Sequence, residues 1–237
     1  MITLNDKIIL ITGVTGALGH STAECFQQAG ATLAITGRNA NKLAQVNTQL
    51  RLGSDHHTQA CDLTDLQQCT HMVDAIVERY GRIDALLNVA GGFAMGKTVE
   101  TLSNEDFNAM FDMNFTSTFN ACRAVMPHMI TQGHGNIVNV SARAALAGKG
   151  KMAPYCIAKS AVVTLTESLA AEHHADDINI NCILPGTIDT PINRSDMPNA
   201  DHSTWIPCED LAHSMLFLTS PLARSINGAV IPVYGKS

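Results

Sequence analysis

The first 37 residues leave few folds open. Lys7-Ile8-Ile9-Leu10-Ile11-Thr12 is a short apolar run of the kind that forms a parallel strand buried on both faces. Thr12-Gly13-Val14-Thr15-Gly16-Ala17-Leu18-Gly19 follows directly, a helix is expected from about Ala17 to Ala29, and Ala31-Thr32-Leu33-Ala34-Ile35-Thr36 repeats the strand. Strand, glycine turn, helix and strand make a βαβ unit, whose crossover is right-handed and whose strands lie parallel.

The alternation continues along the chain. A helix is expected from Ala40 to Leu50, a weak third strand over 56–61, an amphipathic helix from Leu66 to Tyr80 and a strand from Ile83 to Val89. A long helix should run from Ser103 to Ile130, then a strand from Asn136 to Ser141, a helix from Ala153 to His174 and a strand from Ile178 to Leu184. A loop of about 20 residues follows, rich in Pro, Asp and Asn, before a helix near Glu209 to Leu218 and a last strand near Ala229 to Val233. The series predicts an α/β fold over 1–237: a single-domain, Rossmann-like, doubly wound parallel sheet of about seven strands with helices on both faces. A chain of 237 residues suits one such domain.

Ligands of these sheets bind beyond the strand C-termini, where the strand order reverses. The first glycine turn lies on that edge. Its glycines let the backbone approach a pyrophosphate, and the following helix offers free N–H groups and a favourable dipole. Gly13, Thr15, Gly16, Leu18 and Gly19 are therefore candidate dinucleotide contacts. The second strand ends Thr36-Gly37-Arg38. An acid there would bind the ribose hydroxyls of NAD, whereas Arg38 suits the 2′-phosphate of NADP. NADP(H) is favoured, with NAD(H) as the alternative.

Tyr155 and Lys159 stand four residues apart at the start of a helix, so they share one face about a turn apart. A cation there favours the phenolate, and the tyrosine is expected to titrate below its usual value of about 10.

Composition removes other functions. A net charge of −6 without a basic block gives no footprint for nucleic acid. No apolar run approaches the 18 residues of a membrane span. Met1 to Lys7 lacks the basic start and apolar core of a signal peptide, and a cytoplasmic protein is expected. Cys25, Cys61, Cys69, Cys122, Cys156, Cys182 and Cys208 are scattered singly and read as reduced thiols. The pairs His56-His57 and His173-His174 diverge as neighbours must, so no metal site is expected.

These residues together resemble the short-chain dehydrogenase/reductase family over essentially the whole chain. The glycine turn Thr12 to Gly19 comes first. Asp62-Leu63 resembles the pair that contacts the adenine, and Asn88-Val89-Ala90-Gly91 the family's Asn-Asn-Ala-Gly segment. Asn114 falls at the helix asparagine that anchors a proton-relay water, and Tyr155 and Lys159 at the catalytic pair. Pro185-Gly186, with Ile188 and Thr190, resembles the segment that holds the nicotinamide carboxamide. Asn88, Ala90 and Gly91 are cofactor contacts on this likeness, as are Tyr155 and Lys159. It implies hydride transfer at the nicotinamide, Tyr155 as general acid/base, Lys159 lowering its pKa and holding the ribose, and assembly as a homo-oligomer, tetramer or dimer.

Two departures stand out. Ala17 occupies the place of the second glycine of the common turn. Thirteen residues before Tyr155, where most members have a serine, the chain has Ala142, with Ser141 one position earlier. Neighbouring strand residues face opposite ways, so Ser141 replaces that serine only if the strand end bulges. Asp189-Thr190-Pro191-Ile192-Asn193-Arg194, Met197-Pro198 and Ser203-Thr204-Trp205 are similar to the dihydropteridine reductase branch, which also lacks the serine. Arg38 departs from its NADH-using members. The missing donor favours an already electron-poor, quinonoid-like substrate over a plain ketone. A substrate lid is expected over roughly 187–208. Phe93, Met95, Ala142, Met152 and Trp205 are candidate pocket walls, ordinary core being the competing role. Lys149 and Lys151 would either attract an anionic substrate or simply be solvated.

Overall fold

The computed structural model describes residues 2–236. Its seven strands form one parallel sheet in the order β3-β2-β1-β4-β5-β6-β7. The strands are β1 (Ile8–Thr12), β2 (Thr32–Gly37), β3 (His57–Ala60), β4 (Ala85–Asn88), β5 (Gly135–Val140), β6 (Ile178–Pro185) and β7 (Val230–Val233). Between them run α1 (Ala17–Gln28), α2 (Ala40–Gln49), α3 (Leu66–Tyr80), α4 (Asn104–Phe111), α5 (Ser117–Gln132), α6 (Ala153–Glu172), α7 (Pro191–Asp196) and α8 (Cys208–Thr219).

The period-two alternation of each strand creates two cores. Ile9 and Ile11 of β1 point to one face and pack with Leu33, Ile35, Leu211 and Met215. Ile8 and Leu10 point to the other and pack with Ile76, Val125, Met129 and Ile180. Every residue of β1 is buried, because both faces of a central parallel strand are covered by helices. The edge strand β3 alternates half-buried and exposed residues, which explains its weak sequence signal. β1 pairs with β2 on one side and β4 on the other, so the strand order reverses at β1/β4.

Two expected elements differ. The long helix over 103–130 is three pieces: α4, a π turn over Asp112–Thr116, and α5 reaching Gln132. Side-chain periodicity is insensitive to one wide turn, and such turns gather at functional positions. The loop after β6 is also folded. Thr190 caps α7 by accepting from Asn193 N at 3.2 Å, and Pro191 occupies its first turn. Proline at a helix start is a helix signal, although in this stretch it resembles loop composition. The Arg194 guanidinium holds Asp189 through two bonds of 2.6 and 2.7 Å. Ile188 and Ile206 bridge the base of the segment, with Ile206 N donating to Thr187 O and Asp189 N to Ile206 O.

Candidate active site

The site begins where two turns touch at the sheet's reversal point. Gly13 has φ +72°, and a Cβ on it would stand 2.6 Å from Ala90 Cα. A Cβ on Gly19 would lie 2.2 Å from Gly13 O. Both positions therefore need glycine, one for conformation and space and the other for space. Thr12 fastens the contact: its Oγ1 accepts from Val89 N and Ala90 N, each at 3.1 Å, and donates to Leu87 O. The sequence places Thr12 in the glycine turn without a role of its own. Its signal was a hydroxyl ending an otherwise apolar strand.

Gly16 caps α1 with no side-chain hydrogen bond, and its carbonyl accepts from His20 N at 2.9 Å. The first-turn N–H groups are thus open to an anion. Thr15, Gly16 and Ala17 are exposed there, while the Leu18 side chain is buried in the core. This cradle fits a dinucleotide phosphate. Arg38 is exposed just past β2, and Gly37 brings that strand end to Thr15.

The remaining cofactor candidates divide. Asp62 Oδ1 accepts from Thr64 N and Thr64 Oγ1, and the Leu63 side chain is in the core, so this turn is internally braced. Asn88 turns inward. Its Nδ2 donates to Asn139 Oδ1 at 2.9 Å, and Asn139 donates in turn to Thr166 Oγ1. Asn88 thereby joins β4 to β5 and α6 and presents no side chain to a ligand. Gly186 N donates to Val233 O, while Ile188 and Thr190 sit at the base of the folded segment that contains α7.

Gly91 is the meeting point. A Cβ there would lie 2.9 Å from Asn114 Oδ1 and 3.3 Å from Lys159 Nζ. Asn114, fully buried inside the π turn, accepts from Gly92 N at 3.1 Å and donates to Met110 O at 3.0 Å. Its side chain is committed to holding the 91–92 backbone, so any water it anchored would use its main chain. The tertiary fold thus brings together Gly91, Asn114 and Lys159, which lie far apart in sequence.

Tyr155 and Lys159 lie on the first turns of α6, as the spacing required. Their electrostatics run opposite to the expectation. Burial pushes the Tyr155 phenol up to about 12, with a further push from Cys156. Burial pulls the Lys159 ammonium down to about 8. Lys159 Nζ donates to Val140 O at 2.9 Å. In this state desolvation outweighs any attraction between the pair, because each group's charged form loses water. The Tyr155 ring meets Phe93 edge-on at 5.0 Å between centroids.

Ser141 is held elsewhere. β5 stays regular to Val140, and Ser141 N continues the ladder to Ile183 O. Its hydroxyl, without the bulge that would redirect it, donates to Lys159 O at 2.7 Å. Ser141 and Val140 therefore position Lys159. Ala142 packs in a small apolar cluster with Ala144, Cys156, Met152 and Tyr155. Phe93 and Met95 are exposed beside this region of the chain, whereas Trp205 is buried at the end of the segment after β6 against His202, outside the Tyr155 cluster. A separate cavity of about 320 Å³ opens between α1 and α2, lined by Thr15, Gly16, His20, Lys42 and Gln45 among others. Its residues come from the β1–α1 turn and two helices, so no single sequence window announces it.

A parallel sheet reversing at a glycine cradle, with a tyrosine and a lysine gathered beside it, defines a dinucleotide-dependent oxidoreductase site. The short chain dehydrogenase family matches residues 7–201, and the chain belongs to it. It is 32% identical to the 3-oxoacyl-(acyl-carrier-protein) reductase of Thermotoga maritima, over 98% of this chain and 98% of that protein. It is 32% identical to the D-threitol dehydrogenase of Mycolicibacterium smegmatis, over 98% of this chain and 93% of that one. Among solved structures, a short-chain type dehydrogenase/reductase from Mycobacterium ulcerans superposes with a TM-score of 0.93 at 28% identity, over 99% of this chain and 90% of that chain. Levodione reductase gives 0.90 at 28% identity, over 98% and 97%. The protein is an oxidoreductase of this family with its Rossmann-like fold, and the family uses NAD(H) or NADP(H). Among the described residues no helix is long and apolar enough to cross a membrane.

Proposed function

We propose that the protein is an NADP(H)-dependent reductase or dehydrogenase acting on a carbonyl or activated, quinonoid-like small molecule. The carrying observation is the convergence of Tyr155, Lys159, Asn114 and Gly91 beside the glycine cradle. The cradle would hold the pyrophosphate, Arg38 the 2′-phosphate, the turns at Asp62-Leu63 and Ala90-Gly91 the adenosine and ribose regions, and 185–190 the nicotinamide end. When bound, the nicotinamide supplies or accepts the hydride. Tyr155 gives its phenolic proton to the substrate oxygen, a role for which a high pKa keeps the proton in place until charge develops. Lys159, easily deprotonated by burial, is suited to restoring that proton, and Ser141 and Val140 hold it in position.

The whole chain acts as one unit, with 187–208 as the lid. We read the protein as cytoplasmic and as a homo-oligomer, tetramer or dimer. The oligomer is supported by the run of ring contacts Phe107, Phe111, Phe115 and Phe119 along α4, the π turn and α5, with Phe119 and Ile157 exposed. Tyr155→Phe tests the assignment. Turnover should fall by roughly 10²-fold or more, with NADPH still bound in a fluorescence titration. Full activity in that variant removes Tyr155 from the chemistry; a chain that binds NADPH but turns over no substrate would instead be a cofactor-binding sensor.

One observation favours a narrower reading. With Ala142 presenting a methyl group beside Tyr155 and Ser141 bonded to Lys159 O, no serine hydroxyl supports a developing oxyanion there. A dihydropteridine reductase-like enzyme, whose quinonoid substrate is already electron-poor, needs that donor least. NADPH oxidation with quinonoid dihydropterin beside a β-ketoacyl thioester distinguishes the two.

A further inference from the structure

The turn that follows β5 is tied to α6 at two points. Ser141 Oγ donates to Lys159 O at 2.7 Å, and Ser160 Oγ donates to Ala145 O, also at 2.7 Å. The second bond is the less expected. A hydroxyl inside a helix commonly bonds back to the carbonyl four residues earlier. Thr164 and Thr166 of the same helix do so, donating to Ser160 O and Val162 O. Ser160 instead leaves its own helix for the turn beside it.

The two ties bracket residues 142–144. Ala142 is extended, with φ −161° and ψ 158°, and burial alternates from there. Ala142 and Ala144 are buried and pack with Tyr155, Cys156 and Met152. Arg143 between them is exposed, its guanidinium 5.5 Å from the Tyr234 ring centroid. Leu146, one residue past the second tie, is 60% exposed. The buried stretch therefore ends where the Ser160 bond holds it. That bond reaches the wall directly, because Ala145 N donates to Ala142 O at 2.9 Å.

We propose that Ser160 is a positioning residue of the active site: it clamps the Arg143–Ala145 turn so that Ala142 and Ala144 keep water from the Tyr155 phenol. The assignment rests on the reading of Tyr155 as proton donor. A methyl group at 142 gives no hydrogen bond to the phenol or to a substrate oxygen, so this wall acts by exclusion. A phenol shielded in that way holds its proton until charge develops on the substrate. Charge on the surrounding elements is otherwise accounted for. Cys156 and Lys159 lie on α6 itself, Arg143 stands over Tyr234, and Lys149 and Lys151 are exposed on the loop before α6. Lys97, on the loop that carries Phe93, is paired with Asp106, and Asp112 of the π turn accepts from Thr116 Oγ1. Ser160→Ala changes none of these groups.

The test is ultraviolet difference titration of tyrosinate in the full chain, without cofactor or substrate. Subtracting the same protein carrying Tyr155→Phe isolates Tyr155 from Tyr80 and Tyr234. In wild type Tyr155 should stay almost wholly protonated up to about pH 10.5. Ser160→Ala should admit water and lower its midpoint by about one pH unit, a rise of about tenfold in phenolate at a given pH below the midpoint. Ser160→Thr keeps the hydroxyl and should behave as wild type. Alanine is the better helix former at this position, and urea unfolding checks that the variant is folded. A bond that only stabilised the fold would lower the urea midpoint of Ser160→Ala and leave Tyr155 unmoved. That result, or a wild type that ionises Tyr155 near pH 10, overturns the clamp and leaves the proton-donor reading intact. Full activity of Tyr155→Phe would instead sink that reading, and with it the catalytic meaning of the clamp.

Discussion

Burial of Lys159 has a thermodynamic consequence that is measurable without any substrate. Its ammonium titrates near 8 in the folded chain against an ordinary 10.5. The folded state therefore binds fewer protons than the unfolded state between those values, and stability must rise with pH across that window. Below about pH 8 both states are protonated and the whole cost of burying the charge is present. Above about 10.5 both are neutral and it is gone. Each pH unit in the window contributes about 1.4 kcal/mol, which over the span from about 8 to 10.5 amounts to about 3.5 kcal/mol, of which titration between pH 7 and 10.5 recovers about 3 kcal/mol.

The perturbation is Lys159→Met, which keeps the length of the side chain and removes the charge. It also leaves Val140 O without its 2.9 Å donor, a loss of about 1 kcal/mol that is the same at every pH. Tyr155 and all other titrating groups are common to both proteins and cancel in the difference. Urea unfolding of wild type and variant from pH 7 to 10.5 isolates the lysine. Wild type should gain about 3 kcal/mol on Lys159→Met across that range, and the variant should be the more stable protein near pH 7 although inactive. A pH-independent difference would refute the reasoning, because it would mean that the ammonium stays hydrated in the folded chain.

Other outcomes follow from the same geometry. Gly19→Ala should cost at least about 3 kcal/mol in urea unfolding because its methyl would overlap Gly13 O, whereas Gly16→Ala should cost less than about 1 kcal/mol; equal costs would contradict the turn described here. Ala142→Ser should raise turnover of a plain ketone by up to roughly 10²-fold and barely change that of an electron-poor quinonoid compound. A uniform change in steady-state kinetics on both would show that the hydroxyl does not meet the developing oxyanion. Asn88→Ala should lower stability by about 1–3 kcal/mol in denaturant unfolding through the lost bond to Asn139 Oδ1, with NADPH affinity little altered in those molecules that remain folded; a selective loss of NADPH binding would make Asn88 a ligand contact after all.

The local sequence carried most of the fold. α3 has the bounds its periodicity indicated, since Asp65 caps its start and Gly81, at φ +76°, ends it. The apolar runs at β1, β2, β4, β5 and β6 also lie close to the expected strands, because two-sided burial demands uninterrupted hydrophobicity. The misses share a cause. Whether the Ser141 hydroxyl faces substrate or Lys159 O depends on the strand's register against β6, a long-range property. The π turn at Asn114 and the folding of the segment after β6 depend on what packs against them.

The i,i+4 spacing of Tyr155 and Lys159, the glycine turn and Arg38 just past β2 were determined by the sequence alone, because each follows from the geometry of one helix or one turn. Only the tertiary structure decided the protonation of the pair, since desolvation is set by everything packed around a group rather than by its neighbour four residues away. It likewise decided that Gly91 sits over Asn114 and Lys159, that Gly13 presses on Ala90, and that a cavity lies between α1 and α2. Each of these joins residues from separate elements, and their contact exists only once the sheet and its helices have assembled.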